Sequence, residues 1–383
     1  MPHSSSSPLK TVFLLAGGTG GHLFPAYGLA QELHKLGLRV VLLTDARGGE
    51  HAQAFSFDAV YIIPAATPSQ NSWIKRLKAF LTLGLGFVSA LKVTWREKPT
   101  AMVGFGGYPI IPSGLAAFFT RTPLILHEQN GIMGRANRFL APHAQAIATG
   151  FPKALGYRPK QKQTWVHTGN PVRPEVKTFI GAPFTPPKDG ESFRLLVFGG
   201  SQGAEVMSTV VPAAIALLPS NLQKQLTVVQ QARPDACDAV RKTYRDLGIG
   251  AEVAPFFPDM PARIATAHLV IARAGASTVT ELSLLKRPCI LVPLPQSLDQ
   301  DQKENARLLE EYEGGVTVLL QKEFSPERLS ALLATFATTP SALLDSFRRT
   351  HEEEELTFPN AAERLAALVC DMIGYKSLKE SHS

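Results

Sequence analysis

Short apolar runs recur along the chain, each stopped by glycine or polar residues and followed by apolar positions at helical spacing. Thr11–Ala16 (TVFLLA), Arg39–Thr44, Ala59–Ile63, Met102–Phe105, Leu124–Leu126 and Gln145–Thr149 predict buried parallel strands in the first half. Arg194–Phe198, Leu226–Gln230, Glu252–Phe256, Leu269–Ala272 and Cys289–Leu294 repeat the pattern in the second. Helices are predicted between them: from the Gly17–Gly21 turn to about Leu36, within Trp73–Lys98, over Pro234–Leu247, after Gly275 with Val279, Leu282 and Leu285 in register, and from about Asp301. Strand alternating with helix is the α/β class, with parallel sheets that bind ligands at the strand C-termini.

The pattern pauses once. From Gly169 to Ser192 the chain is rich in proline, glycine and lysine, as an interdomain linker is. This predicts one domain over 1–170, a linker over 171–192 and a second domain from 193. RLLVFGGSQGA after the linker echoes TVFLLAGGTGG near the start, which suits two similar α/β halves.

Charge separates the halves. Residues 1–170 hold 17 Lys and Arg against 6 Asp and Glu, a net +11, whereas the remainder is at −4. A basic first half predicts contact with an anionic surface. The chain has no basic repeat, aromatic-studded RNA motif or zinc finger, so nucleic acid is not the expected partner. Three widely spaced cysteines fit a reduced, cytoplasmic setting. MPHSSSSPLK is too polar for a signal peptide, and prolines and glycines interrupt the uncharged window 99–120, arguing against a spanning helix there. In Trp73–Lys98, apolar residues interleave with Lys75, Arg76 and Lys78. The first two turns are read as facing an anionic bilayer and the rest as an ordinary helix covering the sheet.

Candidate chemistry gathers at the strand ends. Gly17-Gly18-Thr19-Gly20-Gly21-His22 follows the first strand; glycine lets backbone N–H groups approach an anion closely. The spacing is neither G-x-G-x-x-G nor the Walker pattern, which disfavours dehydrogenases and nucleoside triphosphatases. An imidazole at the mouth of such a turn suits a base near neutral pH, although a lone histidine is as readily structural. Tyr108, Glu128, Gln129 and Asn130 lie at two more strand ends and suit a polyhydroxylated ligand. In the second half, the stretch Leu269–Ala306 is strand, tight turn, helix, strand. Its helix N-terminus favours an anion, and Glu281 is placed either to accept from a sugar diol or simply to cap the helix. Asp299-Gln300-Asp301 has the form D-x-D but sits before a late helix; it is read as incidental, with no metal expected.

Seven stretches in order resemble the MurG family of bacterial glycosyltransferases: GGTGGHLFPA (17–26), GFGGYP (104–109), LHEQNGIMG (126–134), GNPVR (169–173), GGSQGA (199–204), RAGASTVTEL (273–282) and DQDQKENA (299–306). The resemblance implies a GT-B fold, two Rossmann-like domains facing a cleft, with the second domain ending near 358 and a helix in 359–383 crossing back to the first. It implies inverting transfer of N-acetylglucosamine from UDP-N-acetylglucosamine to lipid I, the undecaprenyl-linked N-acetylmuramyl pentapeptide, at the cytoplasmic face of the inner membrane. Other cell-wall synthesis proteins are implied as further partners, and no cofactor is.

By the same resemblance, Arg173 and Ser201 hold the diphosphate, Gln202 also contacts the donor, and backbone near Phe257 meets the uracil. Ala276, Ser277, Thr278, Val279, Thr280 and Glu281 cover phosphate and ribose, with Glu281 on the ribose hydroxyls. Gln302, with Gln300, reads the sugar. Thr19, Gly20, Gly21 and Asn130 line the first domain's side, with Tyr108 and Asn137 toward the acceptor. His22 and Glu128 are the two candidates for the base. The chain departs from the family in reading Asp301-Gln302 where consecutive glutamines are common, and in lacking glycine and arginine in Ala65–Ser72. Alternatives are a GT-B-type UDP-sugar epimerase, a non-catalytic nucleotide-sugar-binding protein, and a glycolipid glucosyl- or galactosyltransferase.

Overall fold

The computed structural model describes residues 10–18, 20–66, 73–188, 190–200, 204–295, 297, 299–338 and 355–375. The chain forms two compact units, one from the residues up to Arg173 together with those from Asn360 onward, the other from Pro174 to Pro359.

In the first unit, seven strands lie in one parallel sheet: β1 (Thr11–Leu15), β2 (Arg39–Thr44), β3 (Ala59–Ile62), β4 (Ala101–Gly104), β5 (Leu124–Glu128), β6 (Ala146–Thr149) and β7 (Thr164–His167), in the order β3-β2-β1-β4-β5-β6-β7. Every residue of β1, β4, β5 and β6 is buried, because helices cover both faces. The helix Gly20–Lys35 packs Leu23, Ala26, Leu29 and Leu33 on one face, and Leu365, Ala366 and Val369 of the helix Ala361–Met372 join the same core.

The second unit repeats the plan with six strands: β8 (Phe193–Phe198), β9 (Leu226–Gln231), β10 (Gly250–Ala254), β11 (Leu269–Ala272), β12 (Cys289–Leu291) and β13 (Val316–Val318), all parallel in the order β10-β9-β8-β11-β12-β13. The two echoing sequences are β1 and β8 with their glycine turns, at matching places in their sheets. In each unit the strand order reverses next to that strand, between β1 and β4 and between β8 and β11, and ligands bind parallel sheets at such a reversal.

Three details differ from the sequence pattern. The strand expected over 252–256 runs two residues earlier, since Pro255 has no N–H to carry the ladder on. The strand expected to reach 294 ends at Leu291, with Val292 N still donating to Ala272 O and Pro293 closing the run. The edge strands β7 and β13 are additional; both are short and partly exposed, which blunts their pattern.

The largest departure is the 25-residue helix Trp73–Glu97. Its inward stripe is small, with Ala79, Gly86, Ala90 and Thr94 buried, and a Cβ on Gly86 would stand 2.0 Å from Pro64 O. The large apolar residues point outward beyond the first two turns, from Trp73 (74% exposed) through Leu77, Phe80 and Leu81 to Leu85 (68%) and Val88. Small residues let the helix sit close to its neighbours, leaving an apolar stripe about four turns long without cover from its own unit. The helix is long and apolar enough to cross a membrane by length and composition alone.

Candidate active site

The reversal in the first sheet gathers the turns after β1 and β4. Gly106 and Gly107 follow β4 with φ of +96° and +79°, a conformation that glycine alone adopts without strain. They fold against His22 on the first turn of the helix after β1. A Cβ on Gly106 would lie 3.2 Å from His22 Nε2, one on Gly107 3.4 Å from Nδ1, and one on Gly17 3.5 Å from Nδ1. Three glycine backbones thus frame a half-buried imidazole at the strand ends. Beside it, Gly20 and Gly21 open the helix, and a Cβ on Gly21 would meet nothing within 4 Å. Tyr108 is half-buried at the end of the β4 turn, and Thr19 lies outside the described residues.

The next strand, β5, ends in a carboxylate that organises a loop. Glu128 is 2% exposed. Its Oε1 accepts from Asn130 N (3.0 Å) and Asn130 Nδ2 (3.2 Å), and its Oε2 from Gly134 N (2.9 Å) and Asn137 Nδ2 (2.8 Å). Burial pushes the Glu128 carboxyl above its ordinary range, and the four donors pull it back. Asn137 also donates to His127 O (3.1 Å), and its Nδ2 is 3.6 Å from the place a Gly106 Cβ would take, which links this network to the His22 cradle.

A second layer lies behind. His127 Nε2 donates to Gly169 O (3.0 Å), and its Nδ1 accepts from Gln129 Nε2 (3.0 Å). Burial holds the imidazole neutral by lowering its pKa to about 4. Asn170 Nδ2 donates to Gln129 O (3.0 Å), so the 169–173 segment is tied to the β5 loop, and the Arg173 guanidinium lies 5.0 Å over the Phe24 ring on the helix that carries His22. The sequence put His127 and Asn170 inside motifs without giving them roles and read Gln129 only as a polar group suited to a polyhydroxylated ligand; their burial at a strand end was the missing signal.

In the second unit, the reversal gathers the turns after β8 and β11. The helix Ala276–Leu285 starts from extended Gly275; Ala276, Ser277 and Thr278 are half-buried in its first turn, and Val279, Thr280 and Glu281 are buried. Ser201 and Gln202 of the other turn lie outside the described residues. Gln302 Oε1 accepts from Leu294 N (3.0 Å), and Gln300 precedes the same helix in the left-handed region (φ +54°), unusual for a residue with a Cβ. Phe257 is buried with its backbone in the loop after β10. Among the described residues, no group of three His, Cys, Asp or Glu side chains is placed to hold a metal ion.

Two buried side chains there had no role in the sequence reading. Arg273, at the end of β11, donates to Val292 O (2.9 Å), Pro293 O (3.2 Å) and Gln321 Oε1 (2.7 Å), and Asn305 Nδ2 donates to Ala274 O (3.1 Å). Together they fix the turn after β11 to the loop after β12 and to the helix Asp301–Tyr312. These three acceptors of Arg273 are neutral, and burial lowers its pKa.

Residues 12–149 match the glycosyltransferase family 28 N-terminal domain and residues 194–365 the family 28 C-terminal domain. A protein of Methylorubrum populi named UDP-N-acetylglucosamine–N-acetylmuramyl-(pentapeptide) pyrophosphoryl-undecaprenol N-acetylglucosamine transferase is 49% identical over 361 residues, covering 94% of this chain and 96% of that one. The crystal structure of Acinetobacter baumannii MurG is similar with a TM-score of 0.73 at 28% identity, over 94% of this chain and 99% of that one. A UDP-GlcNAc 2-epimerase from Neisseria meningitidis shares the fold, with a TM-score of 0.62 at 13% identity over 94% of this chain and 100% of that one.

Proposed function

The chain belongs to glycosyltransferase family 28, among the N-acetylglucosamine transferases just described, and from that premise we propose that it moves N-acetylglucosamine from UDP-N-acetylglucosamine to the C4 hydroxyl of lipid I, giving lipid II for peptidoglycan. Near-half identity over nearly the whole of both chains carries this reading. The epimerase alternative has only a likeness of fold behind it.

The acceptor hydroxyl attacks C1 of the donor sugar from the face opposite UDP. The C1–O bond to the diphosphate breaks, and the α-linkage becomes β. His22 takes the hydroxyl proton, a contribution of ~10²–10⁴-fold. Its half-buried imidazole at the strand reversal supports this role. Glu128 acts as a positioning residue: with four donors on its two oxygens, it holds Asn130, Gly134 and Asn137 in place beside His22. Tyr108 and Asn137 face the acceptor side.

The second unit binds the donor. Ala276–Glu281 cover phosphate and ribose, Ser201 meets the diphosphate together with Arg173 of the first unit, Gln202 also contacts the donor, and Gln302, with Gln300, meets the sugar. Thr19, Gly20, Gly21 and Asn130 complete the donor contacts from the first unit. Negative charge grows on the departing diphosphate, where helix N-terminal amides and Arg173 stabilise it.

The outward stripe of Trp73–Glu97, flanked by Lys75, Arg76 and Lys78, lies on the cytoplasmic face of the membrane, its apolar residues in the acyl boundary and its bases on anionic headgroups.

The test is transfer of labelled N-acetylglucosamine from its UDP donor to a short-chain lipid I analogue. Product with stoichiometric UDP release is expected. Bound donor that is epimerised at C2, with no transfer, would overturn the reading.

A further inference from the structure

We propose that Arg263 is the positioning residue that fixes the nucleobase-reading backbone of the second unit. The inference rests on the reading above that backbone near Phe257 meets the uracil, and it deepens that reading by assigning what makes the backbone rigid enough to choose a base.

The segment 255–259 joins β10 to the helix Met260–Thr266 and is neither strand nor helix. Such a connection is ordinarily mobile. Pro255 and Pro258 have no N–H, so Phe256 and Phe257 supply the only backbone donors over 255–258. Uracil presents an O4 acceptor beside an N3–H donor, and cytosine presents the reverse. A fixed N–H and C=O pair therefore distinguishes them, while a loose pair can adapt to either.

One guanidinium holds the segment at two points and ties it to β10 at a third. It lies 4.3 Å over the ring of buried Phe257. Its Nε donates to Asp259 Oδ1 (2.8 Å), just before the helix begins. Its Nη1 and Nη2 donate to Glu252 Oε2 (2.6 Å) and Oε1 (3.0 Å) on β10. The planar fork thus cross-links the strand before the segment to the residues within it, an arrangement a lysine cannot reproduce. Gln231 adds a tether from below, with Nε2 donating to Pro255 O (3.1 Å) and Oε1 accepting from Gly199 N (3.2 Å) in the turn after β8. Phe256, next in the chain, is 69% exposed, so the clamp fixes the inward residue and leaves the outer side of the segment open to a ligand.

The experiment is calorimetric binding of UDP, CDP and inorganic pyrophosphate to the full chain and to Arg263→Ala, with amide exchange of residues 250–263 followed alongside. In Arg263→Ala, Kd for UDP should rise ~5–20-fold and the preference for UDP over CDP should shrink toward unity, while Kd for pyrophosphate stays within about twofold. Exchange in the segment should accelerate in the ligand-free variant. In the transfer assay, KM for the donor should rise with kcat within about twofold. Arg263→Lys should recover only part of the base preference.

Unchanged UDP affinity and preference in Arg263→Ala would overturn the clamp. If UDP fails to protect the segment in the unaltered protein, the nucleobase reading itself falls, a different result from loss of the clamp alone. Should Arg263→Ala fail to bind pyrophosphate, showing a collapsed unit, Glu252→Gln takes its place. It keeps the ring contact but weakens the fork, with an expected rise of ~2–5-fold in Kd for UDP; no rise would overturn the proposal.

Discussion

The two units share a plan and differ in what they place at the same point of it. Each has a parallel sheet whose order reverses beside a strand that ends in glycines. In the first unit the reversal holds an imidazole and a loop organised by a buried carboxylate. In the second it holds a helix N-terminus and a buried arginine with neutral acceptors. The first set can move a proton; the second offers positive potential from its helix N-terminus and arginine, with Glu281 as a hydrogen-bond acceptor one turn in. One architecture therefore supports opposite electrostatic tasks, and the residues just past each strand decide which.

The largest effect should fall on the proton-moving side. His22→Ala should lower kcat by ~10²–10⁴-fold while melting like the unaltered chain. A loss below about fivefold would erase the contrast, because the base would then lie elsewhere. The outer surface gives the next largest effect. Leu81→Ser with Leu85→Ser should weaken binding to phosphatidylglycerol vesicles by ~10²-fold or more, at ~1.5–3 kcal/mol for each leucine buried. Partition unchanged by the pair would remove the membrane side from the first unit.

Glu128→Gln sharpens the comparison within the first unit. The new amide must turn an NH₂ toward a donor, costing about 2 kcal/mol, read as a Tm lowered by ~4–8 °C. A stable variant with a rate loss as deep as that of His22→Ala would give Glu128 the base role instead.

A further effect should be alike in both units. His127 in the first and His268 in the second are both buried, with pKa values lowered to about 4, and His268 Nδ1 accepts from Arg194 N. The unfolded chain takes up protons on these side chains near their ordinary pKa of about 6.5, and the folded chain does not. Stability should be fully present above about pH 6.5 and fall as pH drops toward 4, by ~1.4 kcal/mol per pH unit for each histidine at most. Urea titrations between pH 7 and 4.5 check this, and His268→Gln should flatten the slope.

Much of this was legible in the residue pattern. Apolar runs ended by glycine marked the central strands of both sheets, and His22, Glu128 and Glu281 stood out as polar groups at strand or helix ends. Two kinds of feature were not legible. Periodicity cannot say which stripe of a helix faces inward when small residues form the buried stripe, as Ala79, Gly86 and Ala90 do. Nor does local sequence show contacts between distant strand ends, such as Gln231 with Gly199 and Pro255, or Arg273 with Val292. The positioning role proposed for Glu128 also needed its four partners in view.

The proposed division of labour places proton removal in the first unit and donor binding chiefly in the second. The measurement closest to it is steady-state transfer by His22→Gly across donor concentrations, with and without added imidazole. A donor KM within about threefold of the unaltered enzyme, a kcat lowered by ~10²-fold or more, and partial recovery of kcat with imidazole are expected. A donor KM raised by tenfold or more with kcat largely kept, and no response to imidazole, would contradict it.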